Sequence, residues 1–428
     1  MRNSDLHEHS GVRREEAGHV SRLFATAIGV LKRPPIATAL AIVATSYLLL
    51  LLNSLRPRWR LLDFSNFYVA ASAFLDGVNP YTADLGQLAA RLNMDLGAEK
   101  FVNLDYPPSF ILIFLPLARL YPLVAYGIWT GLNFLTLAAL LFLLIWRDPR
   151  FGGSLRVSLI SLSVLFFPIE ENLHFGQIQV LILILLLIAY RSARGGRDLM
   201  AGGAIAVASL LKVYPLIALG YFILWRRWRV VAYAAIGLVA GTLITVGMIG
   251  SEVSYGFLSR IQSLTAVAGP LSINRLVVRG FGVRGQGPFY VLTRLEKDIA
   301  IAAKLAILGV TMAVTLNARP DRAGEERTFG LWLMAPVMLT SGWANYLVFF
   351  LPTLVILVAA ADEGSASAAS LWCGAATYLW TTAIGFAILV PPLRDTLGYT
   401  LGQTYGAFLP CGLLGFLTAC LAAGRLRE

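Results

Sequence analysis

Apolar runs of roughly 20 residues recur between positions 36 and 423 of the chain, and a run of that length can cross a lipid bilayer as a helix. The polar stretches between them are too short to form a separate soluble domain. Of the 428 residues, 57% are hydrophobic and only 14% are charged, and the mean hydropathy is +0.70. Soluble globular proteins are far less apolar, so the pattern predicts one all-α polytopic membrane domain.

The ends of the apolar runs predict how the chain is divided. The expected parts are a largely polar cytoplasmic tail at 1–35, one membrane domain at 36–424 with outer insertions at 56–106 and 251–297, and a cytoplasmic C-terminus at 425–428. About thirty-five largely polar residues, including Arg13, Arg14, Arg22, Lys32 and Arg33, precede the first span, which does not fit a cleavable signal peptide. We therefore expect the first span, at 36–55, to be retained.

Arginine and lysine cluster in short loops at 147–156, 191–197, 226–229 and 319–327. The positive-inside rule places such loops in the cytoplasm, so the apolar segments between them must cross in pairs. The net charge of +11 then reflects orientation in the membrane rather than a nucleic-acid-binding face. Polar clusters outside these loops are predicted to share the outer face.

The stretch at 107–146 is long enough for two crossings of roughly 20 residues each, but the pairing of the loops requires an odd number. We resolve this by predicting a short helix at 107–120, bounded by prolines and confined to the outer half of the bilayer.

Asp63 stands shortly beyond the first span, where a carboxylate would meet the membrane surface. One interpretation is an N-cap for a helix over 64–76. The other is a catalytic base. The two are compatible, because backbone donors at a helix N-terminus keep a carboxylate ionised and oriented. A turn at 79–81 and a surface helix at 84–96 are predicted to roof a cavity here.

Two groups of cations are candidates for binding an anion. Lys212 lies in an apolar run, where an ionisable side chain is costly and indicates a functional site, although it could instead extend to the interface. The insertion at 251–297 carries a net excess of basic residues, including Arg275 and Arg279, on the face where few are expected. A lipid phosphate or pyrophosphate would balance them, while long outer loops can also escape the charge bias.

Glu170, Glu171, His174 and Gln177 form a polar collar at a predicted helix junction. His174 is the only histidine of the membrane domain, which excludes a histidine-rich zinc site. Walker-type phosphate loops and dinucleotide fingerprints are absent, so no cofactor is expected.

An ordered series of motifs then identifies a family. The series comprises Asp63-Phe64-Ser65-Asn66-Phe67-Tyr68, Gly77-Val78-Asn79-Pro80-Tyr81, Tyr106-Pro107-Pro108, His174-Phe175-Gly176-Gln177-Ile178-Gln179, Lys212-Val213-Tyr214-Pro215 and Ser272-Ile273-Asn274-Arg275. It resembles glycosyltransferase family 87, over about residues 60 to 350. That family implies a GT-C-like bundle of roughly 10–13 transmembrane helices with outer-face amphipathic helices.

The resemblance implies an inverting transfer of a hexosyl unit, with mannose expected, from a polyprenyl-phosphate-sugar to a lipid-linked or glycan acceptor. The reaction would take place on the outer face of the plasma membrane, among membrane lipids and without nucleic acid. Asp63 would be the general base, and Lys212, Arg275 and Arg279 would bind the donor phosphate. The residues expected at the sugar or acceptor are Tyr68, Tyr81, Tyr106, Glu171, His174, Gln177, Asn274, Trp343 and Asn345.

The chain departs from the family near the last motif, where a tryptophan is often followed by a histidine pair and this sequence has Asn345-Tyr346. An asparagine can hydrogen-bond a sugar but cannot take a proton as imidazole can. Two alternatives therefore stay open: a transporter or flippase of a lipid-linked sugar, and a non-catalytic subunit of an envelope glycan assembly. Inverted repeats would favour the transporter, but the two halves share no helix spacing.

Overall fold

The computed structural model describes residues 20, 22–55, 63–92, 94, 106–264, 271, 273–280, 292–340, 342–389 and 408–424. All regular elements within these ranges are helical, so the all-α prediction is confirmed. The α-helices are α1 Arg22–Leu31, α2 Pro34–Leu55, α3 Asp63–Leu75, α4 Gly86–Arg91, α5 Pro108–Ala118, α6 Pro122–Leu141, α7 Gly153–Val164, α8 Phe167–Phe175, α9 Gln179–Arg194, α10 Asp198–Leu211, α11 Leu219–Leu224, α12 Trp228–Ile249, α13 Ser251–Leu264, α14 Ile273–Gly280, α15 Arg294–Leu316, α16 Arg322–Leu339, α17 Leu351–Asp362, α18 Ala368–Leu389 and α19 Leu409–Ala423.

Several of these helices are suited to a bilayer. By length and composition, five helical segments of the described chain could each cross a membrane, or six if α7 and α8 together form one span bent by 52°. Shorter apolar helices, among them α5, α10 and α19, accompany them. The prediction of a polytopic membrane protein is confirmed, while the total of roughly 10–13 spans, each needing about 20 residues, stays a prediction.

The stretch at 107–146 forms two separate helices, α5 and α6, the second extended by a π-helical turn at Phe142–Trp146. With 11 residues, α5 is about 16 Å long at 1.5 Å per residue, too short for a bilayer core about 30 Å thick. It packs on α3 through aromatic contacts, with the rings of Phe67 and Phe110 4.8 Å apart. The predicted short helix is therefore present.

The basic loops converge on one side of the bundle, the basic face. Arg150 donates to Glu326 at 2.7 Å, and Arg194 and Arg227 both pair with Glu325, at 3.4 and 3.1 Å. These ion pairs join three of the predicted cytoplasmic loops to the fourth, at 319–327. A common side for the four loops agrees with the pairing deduced from their charge.

Broken helices gather elsewhere in the bundle. α8 follows α7 after a bend, and 3-10 helices precede α11 and α17, at Tyr214–Ala218 and Ala344–Phe350. The segment Ala344–Phe350 packs on α8, α9 and α16. Interrupted backbone is tolerated at membrane depth where it is enclosed by protein, and these segments carry the predicted polar collar.

Two predicted boundaries differ from the structure. Part of the predicted tail is helix α1, whose Ile28 is 5% exposed within the core and whose Phe24 contacts the ring of Trp372 at 5.2 Å. The last part of the tail is itself apolar, and it buries one face of its helix against the bundle. The surface helix predicted at 84–96 is shorter, at Gly86–Arg91. The C-terminus at 425–428 lies outside the described residues.

Candidate active site

Asp63 is the first residue of α3, where the positive end of the helix dipole favours a carboxylate. Its Oδ2 atom accepts a hydrogen bond from the Nε2 amide of Gln177. Both residues were predicted at the site, from motifs far apart in the sequence. The carboxylate is thus joined to the α8–α9 junction.

The position of Gln177 depends on the way α8 ends. Gly176 has φ +68°, a left-handed conformation that favours glycine, and the Gln177 N–H donates to the Asn172 carbonyl at 2.9 Å. The Gly176 carbonyl accepts from Trp129 Nε1 of α6 at 2.8 Å. Gln177 is therefore held by its backbone before any ligand is considered.

Tyr106 lies just before α5 and is buried. Its hydroxyl donates to Oε1 of Gln177 at 2.5 Å, and its carbonyl accepts from the Tyr81 hydroxyl at 2.6 Å. Tyr81 belongs to the predicted turn, since its N–H donates to Asn79 Oδ1 at 3.0 Å, and its ring packs on Phe257 of α13. The turn therefore supports Tyr106 from the side of the 251–297 insertion.

Lys212 follows the last residue of α10. Its Nζ donates to the Tyr106 hydroxyl at 2.9 Å. The ammonium also lies 4.3 Å from the ring centroid of Tyr106, 5.0 Å from that of Tyr346 and 5.9 Å from that of Tyr214. Three tyrosine rings thus surround the charge, which stabilises it by cation–π attraction.

A second group of predicted residues lies on α8 and on the 3-10 helix at Ala344–Phe350. Glu171 and Asn345 are 3% and 4% exposed, and the Glu171 carboxylate lies near the backbone of Asn345. His174 Nδ1 lies 3.5 Å from Oε1 of Glu170. Glu171 is within electrostatic range of Asp63, so the two groups are neighbours.

A third group lies on α14 and beside it. Asn274 and Arg275 are 1% and 9% exposed. The backbone N–H of Leu271 donates to the Gly342 carbonyl at 2.9 Å, which brings the segment before α14 next to Trp343. Arg279 lies in α14, but its side chain is outside the described part of the structure.

Tyr68 differs from the other predicted sugar-binding residues. Its hydroxyl donates to the Leu120 carbonyl at 2.6 Å, in the turn between α5 and α6. Tyr68 comes five residues after Asp63 in α3, which at about 100° per residue places it about 140° round the helix and therefore on another face. The structure therefore directs Tyr68 toward helix packing rather than toward Gln177.

Four residues were missing from the predicted site. Tyr214 and Tyr346 surround Lys212, and their own rings are 5.0 Å apart. Asn172 and Gln179 are 1% and 0% exposed, and none of their four side-chain amide atoms has a hydrogen-bond partner in the described structure. Tyr214 and Gln179 stand in the quoted motifs, so their sequence positions could have suggested them, whereas the placement of Tyr346 depends on tertiary packing.

Within the described ranges, no cluster of three or more His, Cys, Asp or Glu side chains is arranged to hold a metal ion. The groups that do come together are carboxylates, amides, phenols and one ammonium. Such groups can bind hydroxyls and exchange a proton.

These features define a polytopic membrane protein with a polar site enclosed among broken helices. The chain belongs to glycosyltransferase family 87, whose family model matches residues 104–329. The match includes Tyr106, Gln177, Lys212 and Arg275, while Asp63 precedes it.

The chain is similar to two mycobacterial enzymes over most of its length. A polyprenol-phosphate-mannose-dependent alpha-(1-2)-phosphatidylinositol pentamannoside mannosyltransferase of Mycobacterium tuberculosis is 25% identical over 311 residues, which are 68% of this chain and 65% of that protein. A polyprenol-phosphate-mannose-dependent alpha-(1-2)-phosphatidylinositol mannoside mannosyltransferase of Mycolicibacterium smegmatis is 25% identical over 386 residues, 82% of each chain. The match therefore spans slightly under two thirds of the first relative.

Proposed function

We propose that the protein transfers a hexosyl unit, mannose by analogy with its relatives, from a polyprenyl-phosphate-sugar to a lipid-linked or glycan acceptor. The transfer inverts the anomeric carbon and takes place on the outer face of the plasma membrane. Membership of family 87 and the polyprenol-phosphate-mannose dependence of the two relatives support the class of donor. The acceptors in those names are phosphatidylinositol mannosides, which supports a lipid-linked acceptor here.

The single observation that carries the proposal is the hydrogen bond between Gln177 and Asp63. A general base needs a fixed carboxylate within reach of the acceptor hydroxyl. Asp63 takes the hydroxyl proton as the acceptor oxygen forms a bond to the anomeric carbon. The bond from that carbon to the phosphate oxygen breaks on the opposite face, and polyprenyl phosphate leaves with the electron pair.

The leaving phosphate gains negative charge as its bond to the sugar breaks. The sequence predicts Lys212, Arg275 and Arg279 as the cations that stabilise it, and of these we assign the role to the two arginines. Arginine is suited to this role because its guanidinium offers paired donors to phosphate oxygens. The burial of Arg275 supports this role for it, because a positive charge at low dielectric stabilises a developing anion more strongly.

Sugar hydroxyls require donors and acceptors that protein groups do not already satisfy. Oε2 of Glu171 and Oδ1 of Asn345 are buried and have no hydrogen-bond partner in the described structure, a costly state for polar atoms. We assign these two atoms to the bound hexose, together with His174, Asn274 and Trp343 as predicted. The unsatisfied amides of Asn172 and Gln179 support a polar ligand in this region.

The test is transfer of radiolabelled mannose from polyprenyl-phosphate-mannose to phosphatidylinositol mannosides, using the purified protein in liposomes. Asp63→Asn keeps the shape of the side chain and removes the base, so transfer should fall by about 100-fold or more. Asp76→Asn is the matched control, because Asp76 is an exposed carboxylate just beyond the same helix. A folded Asp63→Asn protein with the wild-type rate would refute the base role. Absence of transfer by the wild type, with polyprenyl-phosphate-mannose bound but only flipped across the bilayer, would favour the transporter.

The side of the membrane is tested separately, in a background with the three native cysteines replaced by alanine. Thr82→Cys and Arg322→Cys introduce thiols at exposed positions of the outer insertion and of the basic face. An impermeant maleimide added to intact cells should label the first and spare the second. The reverse pattern would place the site in the cytoplasm.

A further inference from the structure

We propose that Lys212 and Tyr106 are positioning residues for Asp63, which they orient and keep ionised through Gln177. This assigns Lys212 to the base rather than to the donor phosphate. The inference rests on the proposed function, because it gives Asp63 the role of general base.

The direction of each hydrogen bond in the chain follows from the chemistry of its members. A lysine ammonium can only donate, so the Tyr106 oxygen is the acceptor of the 2.9 Å bond from Nζ. The single phenol proton of Tyr106 is then directed to Oε1 of Gln177, 2.5 Å away. Since Oε1 faces Tyr106, the NH₂ group of the same amide faces Asp63. The charge at Lys212 therefore fixes which end of the amide meets the carboxylate.

Each bond in this chain polarises the next. A phenol that accepts from an ammonium is a stronger donor, and hydrogen-bonded chains at low dielectric strengthen one another. The final donor, Nε2 of Gln177, meets the carboxylate at Oδ2. Lys212 thus favours the ionised form of Asp63 through the side chains of Tyr106 and Gln177.

The protein holds Lys212 in this position by contacts that need no donor lipid. The rings of Tyr106, Tyr214 and Tyr346 surround Nζ at 4.3 to 5.9 Å. The residue also follows the C-terminus of α10, where its N–H donates to the Ala208 carbonyl and the helix dipole favours a cation. Tyr346 belongs to the 3-10 helix at Ala344–Phe350, so this broken segment supplies one of the rings that support the lysine.

The groups around Asp63 give a reason for a hydrogen-bonded link to a positive charge. Glu171 of α8 is within electrostatic range, and a second carboxylate opposes ionisation of the first. The elements packed on α3 are α4, α5 and α6. Their described sequences contribute only the exposed Arg91 and the phenol of Tyr126. The hydrogen-bonded chain from Lys212 through Tyr106 and Gln177 is a route by which a positive charge reaches Asp63.

The experiment compares Lys212→Met, Tyr106→Phe and the double variant over a range of pH. Each single change should lower kcat by about 10-fold, the value of one hydrogen bond to a charged group, and should move the acid limb of the kcat profile to higher pH. The KM for the donor should change by less than about threefold, and the double variant should be no worse than the worse single one. Lys304→Met and Tyr255→Phe, on α15 and α13, are the matched controls and should leave all three quantities unchanged.

A phosphate-binding lysine would give a different result. Lys212→Met would then raise the donor KM, Tyr106→Phe would not, and the acid limb would stay in place, which would overturn the inference. Because Tyr106→Phe keeps the ring against Lys212, it decides the question even if Lys212→Met fails to fold.

A readout that needs no transfer separates this inference from the proposed function. The infrared spectrum of the wild type minus that of Asp63→Asn isolates the carboxylate band of Asp63. The same difference is measured as a function of pH in the wild-type background and in the background of each variant. The band should be lost at higher pH in Tyr106→Phe than in the wild-type background. A shifted band without any transfer would refute the proposed function and support the hydrogen-bonded link from Lys212 to Asp63. Transfer with an unshifted band would refute that link and leave the proposed function standing.

Discussion

Gln177 donates its side-chain amide to the carboxylate of Asp63, although 114 positions separate the two residues. The contact joins the N-terminus of α3 to the junction between α8 and α9. It makes the geometry of the candidate base depend on a residue whose own position is set by the end of α8.

Replacing Gln177 should therefore impair catalysis more than binding. Gln177→Leu has a similar volume but cannot donate to Asp63, so kcat should fall by about 10- to 100-fold, the effect of losing a hydrogen bond worth about 1.5–3 kcal/mol. Steady-state transfer kinetics measure this, with Gln87→Leu on exposed α4 as control. An unchanged kcat would mean that Asp63 is oriented by other groups.

Gly176→Ala tests how the α8 terminus supports the site. The residue has φ +68°, and an added Cβ would lie 3.1 Å from Nε1 of Trp129. We expect a loss of about 1–2 kcal/mol in the free energy of unfolding from the left-handed backbone alone, with lower transfer activity because Gln177 comes next.

Gly203→Ala is the control, since its Cβ would meet no atom within 4 Å and it lies inside α10. Alanine there should stabilise the helix by up to about 1 kcal/mol. Thermal unfolding in detergent compares the two variants, and equal stability of both would contradict the strain at Gly176.

Tyr68→Phe tests whether Tyr68 has a structural role or a sugar-binding role. The change removes the hydrogen bond to the Leu120 carbonyl and should cost about 0.5–1.5 kcal/mol in the free energy of unfolding. Donor and acceptor KM values should stay at their wild-type levels. A raised acceptor KM at unchanged stability would instead support the sugar-binding role expected from the motif.

The basic face predicts a pH dependence of stability. Burial opposes ionisation of Asp148, but hydrogen bonds and the charge of Arg150 outweigh it and hold the pKa of Asp148 below its usual value. A lowered pKa in the folded state means that the stabilisation is complete above the unfolded pKa, near 4. It is lost as the pH falls through that value toward the folded pKa.

Unfolding of the wild type and of Asp148→Asn should be followed between neutral pH and about pH 3. The variant should be less stable at neutral pH by about 1–3 kcal/mol, and the difference should shrink as the pH falls. A difference that is independent of pH would show that the Arg150 pair contributes no charge-dependent stability.

Much of the architecture was predictable because it depends on local properties of the chain. Apolar length predicted the helices, loop charge predicted the common side on which Arg150, Arg194 and Arg227 pair with Glu325 and Glu326, and flanking prolines predicted the short helix α5. The ordered motifs also contain Asp63, Tyr106, Gln177 and Lys212, which the structure brings into contact. The helix α1 within the predicted tail was not foreseen, because its apolar side chains find partners only in the folded bundle.

The sequence by itself determined that the protein is a helical membrane protein of family 87, and it singled out Asp63, Tyr106, Gln177 and Lys212 as candidate site residues. Only the tertiary structure decided that these four form one hydrogen-bonded chain, that Tyr346 faces Lys212, and that Tyr68 turns away to Leu120. Hydropathy and charge act over whole segments and can be read along the chain. A hydrogen bond instead requires two atoms about 3 Å apart with the correct direction, and here that depends on where α8 ends, where α10 ends and how α3 packs on α5.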